Sequence, residues 1–224
     1  MYFAIEGIKG SGKSAVFAGV YTELQYQGFE PHRLSPTSAR PANILDALHV
    51  VSGRYWPDFL TERLYAARSN RAARQVPKRG LVLGERSVFT SYVSRWNHAD
   101  PAATLVRVDA LEHHIQLPQH VLYLSVPVEL AVKRIDSRPR RAYGNRDQTS
   151  TRLREADAVY RHLACMGQCY GIDQVQWHWV DATKPLFEVV RNTTEIIAAL
   201  QPHPMRTTPV GGSNSHPQAI GEQE

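Results

Sequence analysis

The sequence predicts an α/β fold: a five-stranded parallel sheet with helices on both faces, three layers deep. Two observations carry this. Five short apolar runs are separated by segments of helical spacing. Short strands separated by helices in this way imply a parallel sheet covered on both faces. A glycine-rich loop joins the first run to the first helical segment. In order, residues 2–6 form an apolar strand. Residues 13–27 space Val16, Val20 and Leu24 helically and end at Gly28, a cap. Residues 31–35 make a weak second strand. Residues 43–51 and 58–76 are helical, the latter capped by Asp58. Leu81-Val82-Leu83-Gly84-Glu85 is a buried strand, 102–116 a helix and 121–124 a strand. Residues 128–136 and 151–166 are helical, 175–180 is the last strand and 185–200 the last helix.

The chain has 224 residues, 42% of them hydrophobic and 21% charged, which suits one domain with a tail. Residues 1–200 form that domain. Residues 201–224 have almost no large apolar side chains, too few to offset their ordering entropy, and read as a disordered tail. No apolar run approaches the ~20 residues needed to span a bilayer; the longest, 121–128, is interrupted by Ser125 and Pro127. No secretory signal opens the chain, and two cysteines make no disulfide scaffold, so an intracellular, cytoplasmic protein is expected. The net charge of +5 points to an anionic partner, either a small molecule or nucleic acid.

Gly7-Ile8-Lys9-Gly10-Ser11-Gly12-Lys13-Ser14 matches G-x-x-x-x-G-K-[ST] at every fixed position. Its glycines let the backbone curl so that amides point at a phosphate chain. Lys13 reaches the terminal phosphates, the Ser14 hydroxyl suits Mg²⁺, and the helix from Lys13 adds the positive end of its dipole. An apolar strand before the loop and a helix after it supply the context that separates a phosphate loop from a chance turn. The motif predicts a P-loop fold that binds a nucleoside triphosphate, ATP, with Mg²⁺. Glu85 ends a strand whose carboxyl end would lie beside this loop, which places it near the same cation, with Arg86 aimed at phosphate oxygens; the plainer reading is a surface pair before the next helix. Arg134, Arg138, Arg140, Arg141 and Arg146 crowd one segment that also holds Pro139 and Gly144. A lid over residues 134–154 would stabilise the charge of a phosphoryl-transfer transition state and exclude water. From Lys133 to Arg154 there are eight basic residues and two acidic ones. This local +6 equals the excess of the whole domain, so the basicity reads as a phosphate-handling lid rather than a nucleic-acid surface.

Taken together, these residues resemble the thymidylate kinases and, more widely, the nucleotide and deoxynucleoside kinase group, over most of residues 1–200. Phe3-Ala4-Ile5-Glu6-Gly7 is similar to the family's opening strand. Glu62-Arg63-Leu64-Tyr65-Ala66-Ala67-Arg68-Ser69-Asn70-Arg71 is similar to its helix bearing a base-stacking aromatic and a substrate-binding arginine. Leu83-Gly84-Glu85-Arg86-Ser87 resembles its Asp-Arg motif, and Val180-Asp181-Ala182-Thr183-Lys184-Pro185-Leu186 its last strand and turn. The resemblance implies a homodimer that moves the γ-phosphate of ATP to dTMP. It implies Lys13, Glu85, Arg86 and a lid arginine, Arg138 or Arg141, as catalytic groups. It implies Ser14 and Glu85 as metal ligands, and Tyr65, Arg68 or Arg71, Arg86, Thr90 and Ser91 around the acceptor. Two positions depart from the family. Lys9 stands where an acid is usual, and Leu34-Ser35-Pro36-Thr37-Ser38-Ala39-Arg40 offers only Arg40 where an arginine motif is expected.

Both departures lie on the acceptor side, and two other readings stay open. Glu85-Arg86-Ser87 also resembles the Glu-Arg-Ser motif of deoxynucleoside kinases, which phosphorylate a sugar hydroxyl and need a carboxylate base. No Asp or Glu occurs between Pro31 and Leu45 to be that base. The third reading is a non-catalytic nucleotide-binding regulator. Cys165 and Cys169 lack a second ligand pair for zinc and read as buried, reduced thiols. Trp177 and Trp179 alternate on the last strand and are expected to pack on one face; His113-His114 reads as a polar helix end.

Overall fold

The computed structural model describes residues 1–36, 41, 43–52, 56–77, 79–137 and 149–201. Five strands pair in parallel: β1 (Tyr2–Glu6), β2 (His32–Leu34), β3 (Val82–Glu85), β4 (His120–Ser125) and β5 (Gln176–Asp181), in the order β2-β3-β1-β4-β5. Eight α-helices lie among the described residues: α1 (Lys13–Tyr26), α2 (Ile44–Ser52), α3 (Asp58–Arg74), α4 (Val88–Ser94), α5 (Pro101–Leu111), α6 (Val128–Asp136), α7 (Ser150–Cys165) and α8 (Leu186–Leu200). The three-layer α/β expectation holds. None of the described helices is long and apolar enough to cross a membrane.

The alternation of side chains along each strand builds two cores. Phe3, Ile5, Leu83, Leu122 and Leu124 point to one face and pack with Val16, Phe17, Val20 and Leu24 of α1, Ala131 of α6 and Val189 and Ile197 of α8. Their neighbours Val121 and Tyr123 point the other way, into Val88, Phe89 and Tyr92 of α4, Leu105 and Val108 of α5 and Val159, Tyr160 and Leu163 of α7. Tyr2, Ala4 and Val82 share that second face with Leu34 and the end of α3. Phe3, Ala4, Ile5, Leu122 and Leu124 are wholly buried, which is why strands this short form: each residue sheds apolar surface on one side or the other.

Caps explain several helix boundaries. Gly28 (φ 86) follows α1, the Gly28 amide donates to the Gln25 carbonyl and the Phe29 amide to that of Leu24. This is a Schellman end, as Gly28 predicts, and Leu24 and Phe29 share one core. Ser87, Asp100 and Thr149 cap α4, α5 and α7 by accepting from the amides of Phe89, Ala103 and Arg152. α3 differs from expectation: Pro57 precedes it, and Asp58 lies in its first turn without capping it. There the carboxylate still complements the helix dipole. The helix α4 has no separate place in the sequence pattern, because its seven residues are too few to establish a period.

The expectation that both cysteines are buried is wrong. Cys165 and Cys169 are exposed free thiols. The inward face of α7 is filled by Val159, Tyr160 and Leu163, which leaves Cys165 at the outer end. Trp177 packs edge-on against Phe89 at 4.9 Å, as its alternation predicts. Trp179 shares that face, 4.8 Å from Tyr123, yet stays 45% exposed beneath Arg161, because β5 is the sheet edge.

Candidate active site

The carboxyl ends of β1 and β3 are neighbours, with Ile5 paired to Glu85. The turn of residues 7–12 springs from β1 at this point. Gly7, Gly10 and Gly12 all have positive φ (146°, 89° and 98°), a path that glycine takes without strain. Gly10 also lies against α6. A Cβ there would stand 2.4 Å from the Ala131 carbonyl oxygen, so the loop fits under the helix only without a side chain. No side chain caps the first turn of α1 at Gly12, so the amide end of the helix opens toward the loop. Lys13 folds back across the turn, and its ammonium donates to the carbonyls of Gly7 (2.7 Å) and Ile8 (2.8 Å). A glycine turn crossed by a lysine can receive an anionic group such as a phosphate.

Ser14 and Glu85, 71 residues apart, meet here: the Ser14 hydroxyl donates to Glu85 Oε1 at 2.5 Å. A hydroxyl and a carboxylate side by side are hard oxygen donors, suited to Mg²⁺, which keeps most of its water and takes few protein ligands. Among the described residues no group of three or more His, Cys, Asp or Glu side chains is placed to hold a metal ion. A cation here would thus take its remaining oxygens from water and phosphate.

Arg86 is the only non-glycine among the described residues with positive φ (73°). Such a backbone costs an arginine on the order of 1 kcal/mol or more and persists only where its surroundings impose it. They do so from both sides. The Arg86 amide donates to the Ile5 carbonyl (3.1 Å), and the next amide, of Ser87, donates to Glu6 Oε1 (2.6 Å).

Glu6 is the residue the sequence reading missed. Its side chain is fully buried at the end of β1. Oε1 accepts from the Ser87 amide and hydroxyl (2.6 and 2.8 Å); Oε2 accepts from the hydroxyls of Thr90 and Tyr160 (both 2.9 Å). A buried carboxylate requires such donors. Burial and the nearby Glu6 push the Tyr160 phenol far above its ordinary range, so it remains a donor. The signal was present in the sequence: one acid in an otherwise apolar strand.

The acceptor-side candidates behave differently. The Thr90 hydroxyl donates a hydrogen bond to Glu6, and the Ser91 hydroxyl donates to Glu112 Oε1 (2.6 Å), which also accepts from Arg95 (3.0 Å). Arg68 is 7% exposed, and its Nε and Nη2 grip the fully buried Asp46 at 2.5–2.7 Å. Its guanidinium also lies 5.1 Å from the centroid of the Tyr65 ring. Tyr65 remains 38% exposed. Arg71 donates to the Pro41 carbonyl (2.7 Å) at the surface. Arg134 is fastened to the Ala182 carbonyl (2.9 Å), in the turn after β5, and Arg154 to Glu129. Arg138, Arg140, Arg141 and Arg146 lie outside the described residues, as do Arg40 and residues 202–224. The structure thus brings Gly7 to Ser14, Glu85 and Arg86 together, and commits Arg68, Thr90 and Ser91 to carboxylates within the fold. Compared with known proteins, the chain matches no family model and no curated protein.

Proposed function

We propose that this protein is an ATP-dependent nucleoside monophosphate kinase, with dTMP as acceptor. The observation that carries the reading is the meeting of Ser14 with Glu85 at the mouth of a left-handed glycine turn crossed by Lys13. The loop amides and Lys13 hold the β- and γ-phosphates of ATP. Ser14 and Glu85 would hold Mg²⁺, which neutralises phosphate charge when bound. An oxygen of the acceptor phosphate attacks the γ-phosphorus, the bond from that phosphorus to the β–γ bridging oxygen breaks, and ADP leaves. Negative charge spreads over the transferred group, and Arg86 meets it from the end of β3. Arg138 or Arg141 closes over it in the proposed lid, and Tyr65 stacks on the base. A phosphate acceptor is already ionised, so no carboxylate base is required.

One observation favours a second reading, a deoxynucleoside kinase. Arg68 is neutralised by Asp46 and is therefore a weaker partner for an acceptor phosphate. Under that reading the 5′-hydroxyl attacks and Glu85 takes its proton. A panel of dTMP, other monophosphates, thymidine and other deoxynucleosides with Mg·ATP decides between them. Turnover of dTMP above all others supports the monophosphate reading. Preference for a nucleoside moves the assignment to the second. Salt-sensitive DNA binding with no turnover makes the protein a nucleotide-binding regulator instead.

A further inference from the structure

We infer that Glu6 is a positioning residue for phosphoryl transfer: it holds Arg86 in its left-handed backbone through Ser87 and ties that point to α7 through Tyr160. The inference rests on the phosphoryl-transfer reading for its effect on turnover, and on geometry alone for its effect on Arg86.

The geometry is specific. Oε1 clamps residue 87 by its amide and its hydroxyl together, directly after the strained residue. The same Ser87 hydroxyl accepts from the Phe89 amide at 3.2 Å, so the start of α4 is fixed by this one group. Oε2 reaches Thr90 within α4 and Tyr160 on α7, 154 residues away. α7 begins at Ser150, within the basic segment of residues 134–154, and Tyr160 lies about 15 Å along it at 1.5 Å per residue. One carboxylate therefore joins the root of the phosphate loop, the residue that presents Arg86 and the helix that carries the basic segment's carboxyl end. Desolvating a carboxylate completely is costly. A hydrophobic residue at position 6 would extend the apolar strand at no such cost, so the acid is not explained by packing.

The test compares wild type, Glu6→Gln, Tyr160→Phe, Arg86→Ala and the Glu6→Gln/Arg86→Ala double variant. The measurements are steady-state turnover on whichever acceptor the panel identifies, Kd for Mg·ATP by equilibrium titration, and amide hydrogen exchange. Glu6→Gln keeps the volume but turns one acceptor oxygen into a donor. Its kcat is expected to fall at least tenfold with Kd for ATP within threefold. Tyr160→Phe, which removes one donor, moves kcat the same way by at least twofold and serves if Glu6→Gln fails to fold. In the Arg86→Ala background the Glu6→Gln change should alter kcat less than twofold, because its effect passes through Arg86. A full additional loss in the double variant overturns the inference, as does an ATP Kd that weakens as much as kcat. If the wild type transfers no phosphoryl group, the kinase reading fails on that result alone. Hydrogen exchange then decides the inference by itself. The Ser87 amide should exchange at least fivefold faster in Glu6→Gln and in Tyr160→Phe, and unchanged protection overturns it.

Discussion

The carboxyl edge of β1 and β3 and the α2–α3 face use charge in opposite ways. At the strand ends, charged and polar groups from distant parts of the chain are brought together: Lys13 lies across the turn on the Gly7 and Ile8 carbonyls, Ser14 bonds Glu85, and Arg86 follows in a left-handed backbone. On α2–α3, the strongest cation, Arg68, is withdrawn into a buried pair with Asp46. Loop geometry is cheap to specify locally. A helix face holds its charges with side chains, and each charge serves either a ligand or the fold. The comparison teaches that backbone turns gather charged groups at the strand ends, while on α2–α3 a charged side chain is committed to the fold itself.

The largest expected effect breaks or keeps the first half of that contrast. Lys13→Ala should reduce turnover at least a thousandfold, about 4 kcal/mol in the barrier, because the phosphates lose their cation. Steady-state rates within tenfold of wild type would remove the phosphate-loop assignment. The next effect concerns stability. Arg68→Ala removes the guanidinium that grips the buried Asp46 carboxylate, which should cost about 3–5 kcal/mol. Denaturant melts of Arg68→Ala, Asp46→Ala and the double variant check this: the double should recover part of the loss, and Arg71→Ala should cost under about 1 kcal/mol. A fully stable Arg68→Ala protein with a raised acceptor KM would return Arg68 to the substrate site. Third, Arg86→Ala should lower kcat at least tenfold, about 1.4 kcal/mol, with little change in ATP affinity; an unchanged kcat makes it a structural residue.

The smallest effect lies away from both regions, at the opposite end of the sheet, and sharpens the contrast by showing a polar pair kept for the fold alone. His120 and His178 face each other at 3.2 Å, near the amino terminus. Burial lowers both pKa values, that of His120 further through His178 and the α-amino group. The unfolded chain therefore binds protons at higher pH than the folded one. Stability is complete above the unfolded histidine pKa, about 6.5, and declines as pH falls through it. The melting temperature should drop between pH 8 and 5.5, and His178→Gln should flatten that drop. A slope identical to wild type would remove the pair from the balance.

Much of this was legible in the residues. Five strands were foretold, but the continuous apolar signal of burial on both faces belongs to β1, β3 and β4, and the edge strands β2 and β5 carry weaker patterns. The Gly28 end of α1 and the turn of residues 7–12 were legible because each depends on a few adjacent residues. The cap at Asp58 was misread, since Pro57 already sets the chain's entry into α3. The burial of Cys165 and Cys169 was misread because which side of α7 faces inward depends on its packing against α4 and the sheet. Thr90 and Ser91 read as acceptor-facing hydroxyls, but their partners, Glu6 and Glu112, are 84 and 21 residues distant.

The dividing line is range along the chain. Spacing, turn chemistry and apolar runs act within a few residues, and they were enough for the α/β class and for the loop that begins α1. Which charged groups face outward and which satisfy one another was decided only when the strands paired. Glu85 reaches Ser14 across 71 residues, Glu6 reaches Ser87 across 81 and Tyr160 across 154, and Arg68 reaches Asp46 across 22. A buried charge must find its partner wherever the fold brings one, and no local pattern records where that will be.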